Sequence, residues 1–389
     1  MLSPTLLGGL SPQQFLEEYW QKKPLLVRGA FPDWENPLTP EELAGLACEA
    51  GVESRLVLEK GGRHPWEVRH GPFDEAEFAD FPESHWTLLV QDVDKHVPEL
   101  ADLLEAFRFV PDWRIDDLMI SYAPSDGSVG PHVDAYDVFL LQGLGERRWQ
   151  ISDTYTDECI ADVELRILRE FTTEQEWTLH PGDMLYLPPG VAHYGVAMND
   201  CMTYSIGFRA PSRQELIHGF LDDVLAGIDS QTRYADPDLP LQSDAAMLTD
   251  QSLKKLRSFL IEGLPLDEDS LNRWLGRYLS EPKEGFEPYA AEITADTQHF
   301  VRRWTTERVL LRNSACRFLL MDAKDGHRLI FVNGQEYPVL PRLATAASRL
   351  CNQRLLDIEA FRDALKDASF ADLLCHFFNL GYLYFDEQH

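Results

Sequence analysis

Two short segments, Gly130–Asp134 (GPHVD) and Pro188–His193 (PPGVAH), decide how this sequence is interpreted. The first contains His132 and Asp134, and the second ends in His193, 59 residues after Asp134. Because His132 and Asp134 are one residue apart, an extended backbone would point both side chains to the same side. Two imidazoles and one carboxylate form a ligand set that holds Fe(II) and leaves coordination positions open. The spacing therefore predicts a metal site formed by His132, Asp134 and His193.

The residues around these ligands favour a β-sandwich or β-barrel. Residues 182–193 (GDMLYLPPGVAH) contain a turn, an apolar strand and a Pro-Pro-Gly turn that presents a histidine, which is the second half of the cupin pattern. Many short β-rich runs bounded by Gly and Pro are typical of antiparallel sandwiches and barrels. The strands predicted in this way are 25–27, 86–91, 118–122, 138–141, 148–151, 176–179, 184–187 and 202–208.

Helix start signals precede this β-rich region. Ser11, followed by Pro12 and Gln14, has the pattern of a capping box and predicts a helix over residues 11–20. Thr39 is followed by Pro, Glu and Glu, which predicts a second helix that begins after it. The first domain predicted from these elements spans residues 1–211.

A helical segment is predicted for residues 212–285. Apolar residues recur at helical spacing over 213–228 and 250–264, and a polar loop, 229–243, lies between them. Helices with broad apolar faces outside the main core often pair with a second subunit. We therefore expect a homodimer formed through this segment.

The remaining residues, 286–389, have the element order of a winged helix. This region contains 14 Asp and Glu against 12 Lys and Arg, so it lacks the basic face that DNA binding requires. Direct binding of nucleic acid is accordingly not expected. The predicted elements are strands near 317–321 and 328–332, helices over 341–352 and 357–376, and a final strand over 382–385.

Composition limits the class of protein. The chain has 389 residues, 44% of them hydrophobic, which is enough to fill two or three cores. The six cysteines are scattered without a C-x-x-C pair, which argues against structural zinc and a disulfide framework. The N-terminus lacks a signal-peptide pattern and no apolar run reaches membrane-spanning length, so we expect a cytoplasmic protein without a membrane anchor. The net charge of −30 favours basic partners, although adaptation to salt or heat is an alternative explanation.

At the level of whole motifs, the chain resembles the JmjC Fe(II)/2-oxoglutarate oxygenases, and specifically the bacterial cupin-type ribosomal oxygenases. The resemblance extends over essentially the whole chain. It implies an α+β protein with a double-stranded β-helix (jelly-roll, JmjC/cupin) catalytic domain, a helical dimerisation segment and a C-terminal winged helix. The segments that carry it are 19–24 (YWQKKP), 111–121 (PDWRIDDLMIS), 130–139 (GPHVDAYDVF), 147–149 (RRW) and 204–211 (YSIGFRAP).

The resemblance also assigns roles around the metal. His132, Asp134 and His193 would hold Fe(II), with 2-oxoglutarate and O2 as cosubstrates. The far carboxylate of 2-oxoglutarate needs a fixed cation, and the family's basic residue on the fourth core strand maps onto Arg147. Arg148 and Arg209 are the alternatives. Ser121 matches a position near the cosubstrate or the substrate.

The substrate implied by the resemblance is an arginine of a basic ribosomal protein, number sixteen of the large subunit. A guanidinium requires hydrogen-bond acceptors in the pocket. The residues that can supply them are Tyr136, Asp137, Asp116 and Asp117. Alternative functions are histidyl hydroxylation of another ribosomal protein, lysine demethylation, and regulation by a non-catalytic cupin.

Overall fold

A computed structural model describes residues 5–283, 285, 286, 288, 290 and 294–385. The chain divides into two compact units, Met1–Ala210 and Pro211–His389. The predicted helical segment and the predicted winged helix both fall within the second unit. Their division into separate domains at residue 285 stays a prediction.

Strands and short helices alternate along the first unit. Its α-helices are α1 (Pro12–Glu18), α2 (Pro40–Cys48), α3 (Val93–His96) and α4 (Pro98–Leu104), with 3-10 helices at Glu75–Asp80, Glu105–Phe107 and Asp112–Arg114. Its strands are β1 (Leu25–Val27), β2 (Ser54–Leu58), β3 (Glu67–His70), β4 (Trp86–Val90), β5 (Ile115–Ala123), β6 (His132–Val133), β7 (Val138–Leu144), β8 (Arg147–Ser152), β9 (Gln175–Leu179), β10 (Met184–Leu187), β11 (Ala192–Ala197) and β12 (Cys201–Phe208).

Strands β5 to β12 form the predicted double-stranded β-helix. One sheet has the order β1-β10-β7-β12-β5-β4-β2-β3, and the other has the order β6-β11-β8-β9. Consecutive strands from β5 onward therefore alternate largely between the two sheets, which is the arrangement of a jelly roll. Strands β2, β3 and β4 extend the larger sheet beyond the jelly roll on its β5 side.

The two faces of the larger sheet have different partners because side chains alternate along each strand. On β7, Phe139 and Leu141 belong to the same buried cluster as Phe15 of helix α1. Val138 and Leu140, on the opposite face, pack with residues of the smaller sheet. The helices thus cover the outside of the larger sheet, and the smaller sheet covers its inside, where the predicted ligands lie.

Helix α1 confirms the predicted N-terminal capping box. The Ser11 side chain accepts a hydrogen bond from the Gln14 backbone, and the Gln14 side chain accepts one from the Ser11 backbone. The same reciprocal pair forms between Thr39 and Glu42 at the start of α2. These bonds satisfy N–H groups that have no partner within a helix, so both helices begin where the sequence predicts.

The second unit has its own buried core. Its α-helices are α5 (Arg213–Gly227), α6 (Asp250–Glu262), α7 (Glu268–Ser280), α8 (Thr297–Glu307), α9 (Ala344–Asn352) and α10 (Ala368–Asn379), and its 3-10 helices are Pro341–Leu343, Ile358–Ala360 and Ala364–Lys366. Its strands are β13 (Val309–Arg312), β14 (Phe318–Asp322), β15 (Arg328–Val332), β16 (Gln335–Val339), β17 (Leu355–Asp357) and β18 (Leu383–Tyr384). Strands β14, β15 and β16 form an antiparallel meander, and β13 pairs with both β17 and β18.

The long helix predicted over residues 357–376 is wrong. Only Ala368–Asn379 forms an α-helix, and the residues before it form a short strand and two 3-10 turns. The Asp367 side chain accepts a hydrogen bond from the Ser369 backbone, which starts the helix at that point. Helices α7 and α8 were not predicted. Among the described helices, none combines the length and the apolar character needed to cross a membrane.

Candidate metal centre

The structure brings His132, Asp134 and His193 together. One candidate ligand atom from each residue lies within 4.8 Å of the others. Strand β6 pairs with β11 so that His132 is directly opposite His193, and their ring centroids are 4.2 Å apart. Asp134 follows β6, and its Oδ2 atom is 3.6 Å from His193 Nε2. Two nitrogen donors and one carboxylate oxygen thus meet on one side of a point inside the jelly roll, as a 2-His-1-carboxylate site requires.

Backbone carbonyls select the imidazole nitrogen that faces the metal position. The carbonyl of Gly130 lies 2.9 Å from His132 Nδ1, and that of Val191 lies 3.0 Å from His193 Nδ1. A carbonyl can only accept a hydrogen bond, so Nδ1 carries the proton in both neutral rings. The lone pair of each ring is therefore on Nε2. Such a second partner orients a ligating histidine before the ion arrives.

The environment of His193 favours the neutral ring. Burial, together with the neighbouring His132, lowers the pKa of His193 from 6.5 to about 4, although Asp134 and the Val191 carbonyl act in the opposite direction. The side chain is only 3% exposed. A metal ligand must be deprotonated, so His193 is in the ligating form over the whole physiological pH range.

Arg147 lies inside the jelly roll, as the resemblance implies. Along β8, Arg147, Trp149 and Ile151 are buried, whereas Arg148 and Gln150 are partly exposed. Arg147 is paired with Ala197, and Ile151 with His193, so Arg147 is on the same face of the smaller sheet as His193. Four residues of strand correspond to roughly 13 Å of backbone between them. Arg148 points to the other face and does not reach this space.

The guanidinium of Arg147 has an edge without a partner in the described residues. Arg147 is 4% exposed, and neither its Nε nor its Nη2 makes a hydrogen bond to the described part of the protein. These two nitrogens form the edge of a guanidinium that binds a carboxylate through two parallel hydrogen bonds. A buried cation with free donors is costly, so this edge is suited to bind an anion.

The inner face of β5, in the larger sheet, carries polar residues that face the smaller sheet, to which Arg147 belongs. Ser121 is 3% exposed and is paired with Thr203 of β12. The Thr203 hydroxyl donates a hydrogen bond to the side chain of Gln142 on β7, at 3.2 Å. This polar row across the larger sheet was missed by sequence reasoning apart from Ser121, because alternation alone does not reveal which strands are neighbours.

Tyr136 and Asp117 lie near the metal ligands. The Tyr136 residue is 42% exposed, but burial of its hydroxyl raises its pKa, with further contributions from Asp134 and Asp117 and a hydrogen bond to Asp134. The positive charge of Arg55 on β2 acts in the opposite direction, so this arginine is also nearby. Asp117 is 8% exposed, and its Oδ1 is 3.1 Å from the position that a Cβ on Gly207 would occupy. Sequence reasoning missed Arg55 because β2 lies far away along the chain.

Asp116 precedes Asp117 at an irregular point of β5. The pairing with β12 shifts between Ile206 and Phe208, so that both Asp116 and Asp117 are opposite Gly207. Asp116 is partly exposed. A role for Asp116 in substrate binding stays a prediction.

The structure contradicts the prediction that Asp137 accepts a substrate guanidinium. Asp137 is completely buried, and both oxygens of its carboxylate have partners in the protein. Oδ1 accepts a hydrogen bond from the Tyr186 hydroxyl at 2.6 Å, and Oδ2 accepts bonds from Gln21 Nε2 at 2.9 Å and Arg114 Nη2 at 3.1 Å. The carboxylate holds the N-terminal region, the start of β5 and β10 together, and it has no free oxygen to offer.

Comparisons with known proteins agree with this geometry. A JmjC domain model matches residues 102–216, and a ROXA-like winged-helix model matches residues 260–384. The chain is 37% identical to the ribosomal protein uL16 3-hydroxylase of Escherichia coli over 96% of its own length and 97% of that protein. The chain belongs to the JmjC ribosomal oxygenases.

Two further relatives of this JmjC ribosomal oxygenase are similar in sequence or structure. A probable ribosomal oxygenase of Haemophilus influenzae is 38% identical over 67% of this chain and 65% of that protein. The structure of YcfD, a ribosomal oxygenase from Escherichia coli in complex with cobalt and 2-oxoglutarate, superimposes with a TM-score of 0.82. That similarity covers 97% of this chain and 98% of the other, at 36% identity.

The burial of Asp137 leads to a first prediction. Replacing Asp137 with Asn leaves Arg114 without its buried counter-charge, so the free energy of unfolding should fall by about 3 kcal/mol. Urea denaturation measures this change, with the exposed Asp157→Asn as the matched control. Activity measured on the folded variant at low temperature should keep the wild-type KM for the peptide substrate. A raised KM with wild-type stability would restore Asp137 to the substrate site.

A second prediction concerns pH and the metal-free protein. Between pH 6.5 and 4 the unfolded state binds a proton at His193 that the folded state does not bind. Stability from this residue is therefore complete above pH 6.5 and is lost as the pH falls towards 4, by about 3 kcal/mol. Unfolding in the presence of a chelator should show this loss in the wild type and a correspondingly smaller loss in His193→Gln. Parallel pH profiles of the two proteins would contradict the assignment.

Proposed function

We propose that this protein is an Fe(II)- and 2-oxoglutarate-dependent oxygenase that hydroxylates an arginine side chain of ribosomal protein uL16, number sixteen of the large subunit. Family membership supports the class of ribosomal oxygenase. The observation that carries the cosubstrate is the buried edge of Arg147, which has no acceptor among the described residues and faces the same space as the metal ligands. The named relative from Escherichia coli supports uL16 as the substrate.

The donor set fits Fe(II) better than structural zinc. Two histidines and one aspartate would occupy three positions of an octahedral ion, and the remaining positions would be left for the keto acid and O2. A structural zinc site usually has four protein ligands, and only three such groups meet at this centre in the described residues. When bound, Fe(II) with 2-oxoglutarate and O2 supplies the oxidation of an unactivated C–H bond.

The protein residues bind and orient the reactants. The carbonyls of Gly130 and Val191 keep both histidine rings in the ligating tautomer. Arg147 would bind the far carboxylate of the five-carbon diacid, and the apolar residues that surround it exclude water from this end of the site. Restricting the orientation of the cosubstrate leaves one direction open for the substrate side chain.

Arginine as the hydroxylated residue is supported by the acids close to the metal position. Asp117 is buried on the inner side of β5, and Tyr136 has a hydroxyl beside Asp134. An arginine entering between them would find acceptors for its guanidinium, and its aliphatic carbons would pass close to the metal. The net charge of −30 would accelerate encounters with a basic ribosomal protein.

Mass spectrometry of uL16 peptides tests the proposal. Peptides that tile uL16 are incubated with the enzyme, Fe(II) and 2-oxoglutarate, and the products are sequenced by fragmentation. We expect one added oxygen on a single arginine, together with formation of succinate, and no product with Asp134→Ala. Oxidation of a histidine, or loss of a methyl group from lysine, would assign the alternative JmjC activities. No product with any peptide or with intact uL16 would contradict the proposal.

The assignment of Arg147 leads to a third prediction. Arg147→Gln should weaken 2-oxoglutarate binding on the order of 100-fold, because a buried, doubly hydrogen-bonded charge pair is lost. Arg148→Gln changes the neighbouring residue on the other face of the same strand and is the matched control. Isothermal titration calorimetry of the Mn(II)-loaded proteins measures both affinities. Equal effects of the two substitutions would remove Arg147 from the cosubstrate site.

The homodimer predicted from the sequence is proposed through helices α5 and α6. Ile217, Leu221, Leu225 and Ile228 form one exposed apolar stripe on α5 and its C-terminal cap. Helix α6 exposes a comparable set of apolar residues, Leu253, Leu256, Phe259, Leu260 and Ile261. Apolar stripes of this size mark an interaction surface, and a twofold dimer would cover the same surface on both copies.

A fourth prediction tests this dimer. The double substitution Leu221→Asp and Leu225→Asp places charges in the stripe and should convert a dimer into a monomer. Ala226→Asp adds one such charge on another face of α5 and should leave the dimer intact. Sedimentation equilibrium measures the mass of each variant. A wild-type monomer at micromolar concentration would contradict the proposal.

A further inference from the structure

Trp149 has a buried N–H group that the rest of the site does not explain. The residue is 5% exposed, and its Nε1 makes no hydrogen bond to any described residue. An indole N–H is only a donor, and a buried donor without an acceptor is unfavourable. Native proteins rarely leave such groups unpaired, so Nε1 indicates an acceptor that belongs to a bound molecule.

The register of β8 places Trp149 between the metal ligands and the buried cation. Three pairs between β8 and β11 lie on this face, namely Arg147 with Ala197, Trp149 with Gly195, and Ile151 with His193. Trp149 is the middle one of the three on β8. The Trp149 ring centroid is 5.9 Å from that of His193 and 5.8 Å from Cζ of Arg147. A diacid that reached from the metal position to Arg147 would therefore pass beside this indole.

The orientation of the indole leaves Nε1 away from strand β11. A Cβ placed on Gly195 would lie 2.7 Å from Cη2 and Cζ3 of Trp149 and 2.9 Å from Cε3. The six-membered ring thus covers Gly195 with the edge opposite Nε1. Because Gly195 has no side chain, the ring can lie this close to strand β11 with Nε1 on the far side of the indole.

Trp149 and Arg147 lie on the same face of β8, and each has buried donors without a partner among the described residues. Arg147 has two such nitrogens, Nε and Nη2, and Trp149 has one. One carboxylate has enough lone pairs to accept all three hydrogen bonds. A carboxylate bound beside both residues would also supply the counter-charge that Arg147 needs, which a water molecule would not.

We propose that Trp149 is a cosubstrate-binding residue whose Nε1–H donates a hydrogen bond to the far carboxylate of 2-oxoglutarate, beside the two bonds from Arg147. The inference rests on the proposed function, because it requires a keto diacid in the site. It assigns to Trp149 a polar role in addition to the packing of its ring. Indole and guanidinium together would distinguish a diacid from a keto acid that lacks the second carboxylate.

The experiment compares two ligands on two proteins. Wild type and a protein with 3-benzothienylalanine at position 149, which replaces the N–H by sulfur and keeps the ring size, are loaded with Mn(II). Each is titrated by calorimetry with 2-oxoglutarate and with 2-oxobutyrate, which lacks the far carboxylate. Trp149→Phe is the genetically simple second variant. Trp177→Phe on the paired strand β9 is the control, because Trp177 Nε1 is not a buried unpaired donor among the described residues.

We expect the benzothienyl protein to bind 2-oxoglutarate about tenfold more weakly and 2-oxobutyrate as well as the wild type does. The Phe variant should show the same selectivity between the ligands, and Trp177→Phe should change neither affinity. Equal loss for both ligands would reduce Trp149 to a packing residue, and unchanged affinity for 2-oxoglutarate would overturn the inference. Failure of the wild type to bind 2-oxoglutarate would instead overturn the proposed function.

Discussion

The antiparallel pairing of β6 with β11 is the constraint on which the site depends. It sets His132 directly opposite His193, and it also fixes which residues of β8 face them, because β11 pairs with β8 on its other edge. A shift of one residue in this register would turn the inward side chains outward, as the side-chain period of a strand is two. The metal ligands and Arg147 are therefore positioned by backbone hydrogen bonds rather than by contacts among themselves.

This arrangement places polar groups inside the barrel at a cost in stability. Arg147 and the N–H of Trp149 are buried without acceptors among the described residues, and His193 must stay neutral in its buried position. The surrounding structure offsets the cost with apolar packing on both faces of the larger sheet. Asp137 shows the opposite solution, since its buried charge is satisfied by Arg114 and by two neutral donors. The protein itself satisfies the buried charge of Asp137, whereas the donors of Arg147 and Trp149 are left for the cosubstrate that we propose.

Whether the partners of a buried polar group are close in sequence decides how much of the site could be predicted from the sequence. His132 and Asp134 are one residue apart and His193 follows a recognisable Pro-Pro-Gly turn, so the grouping of the three residues could be predicted. The resemblance pointed to Arg147. Asp137 was misassigned because its partners Gln21 and Tyr186 are 116 and 49 residues away, and no local pattern shows that they meet. The helix over 357–376 was wrong for a similar reason: Phe361, which directly follows the 3-10 helix Ile358–Ala360, is buried in the core, so tertiary packing overrides the apparent helical spacing.

The two sheets of the jelly roll divide the chemistry between them. The smaller sheet provides both histidines and the only described buried arginine with free donors on that face, so in the proposed function it would bind the metal and the diacid. The larger sheet contributes Asp117 and hydroxyl groups such as those of Ser121 and Thr203, which would suit the cationic substrate that we propose. A positively charged side chain is repelled by one wall and attracted by the other, whereas the diacid has the opposite preference. In the proposed function, this electrostatic asymmetry would keep the cosubstrate and the substrate on separate sides of the candidate metal centre.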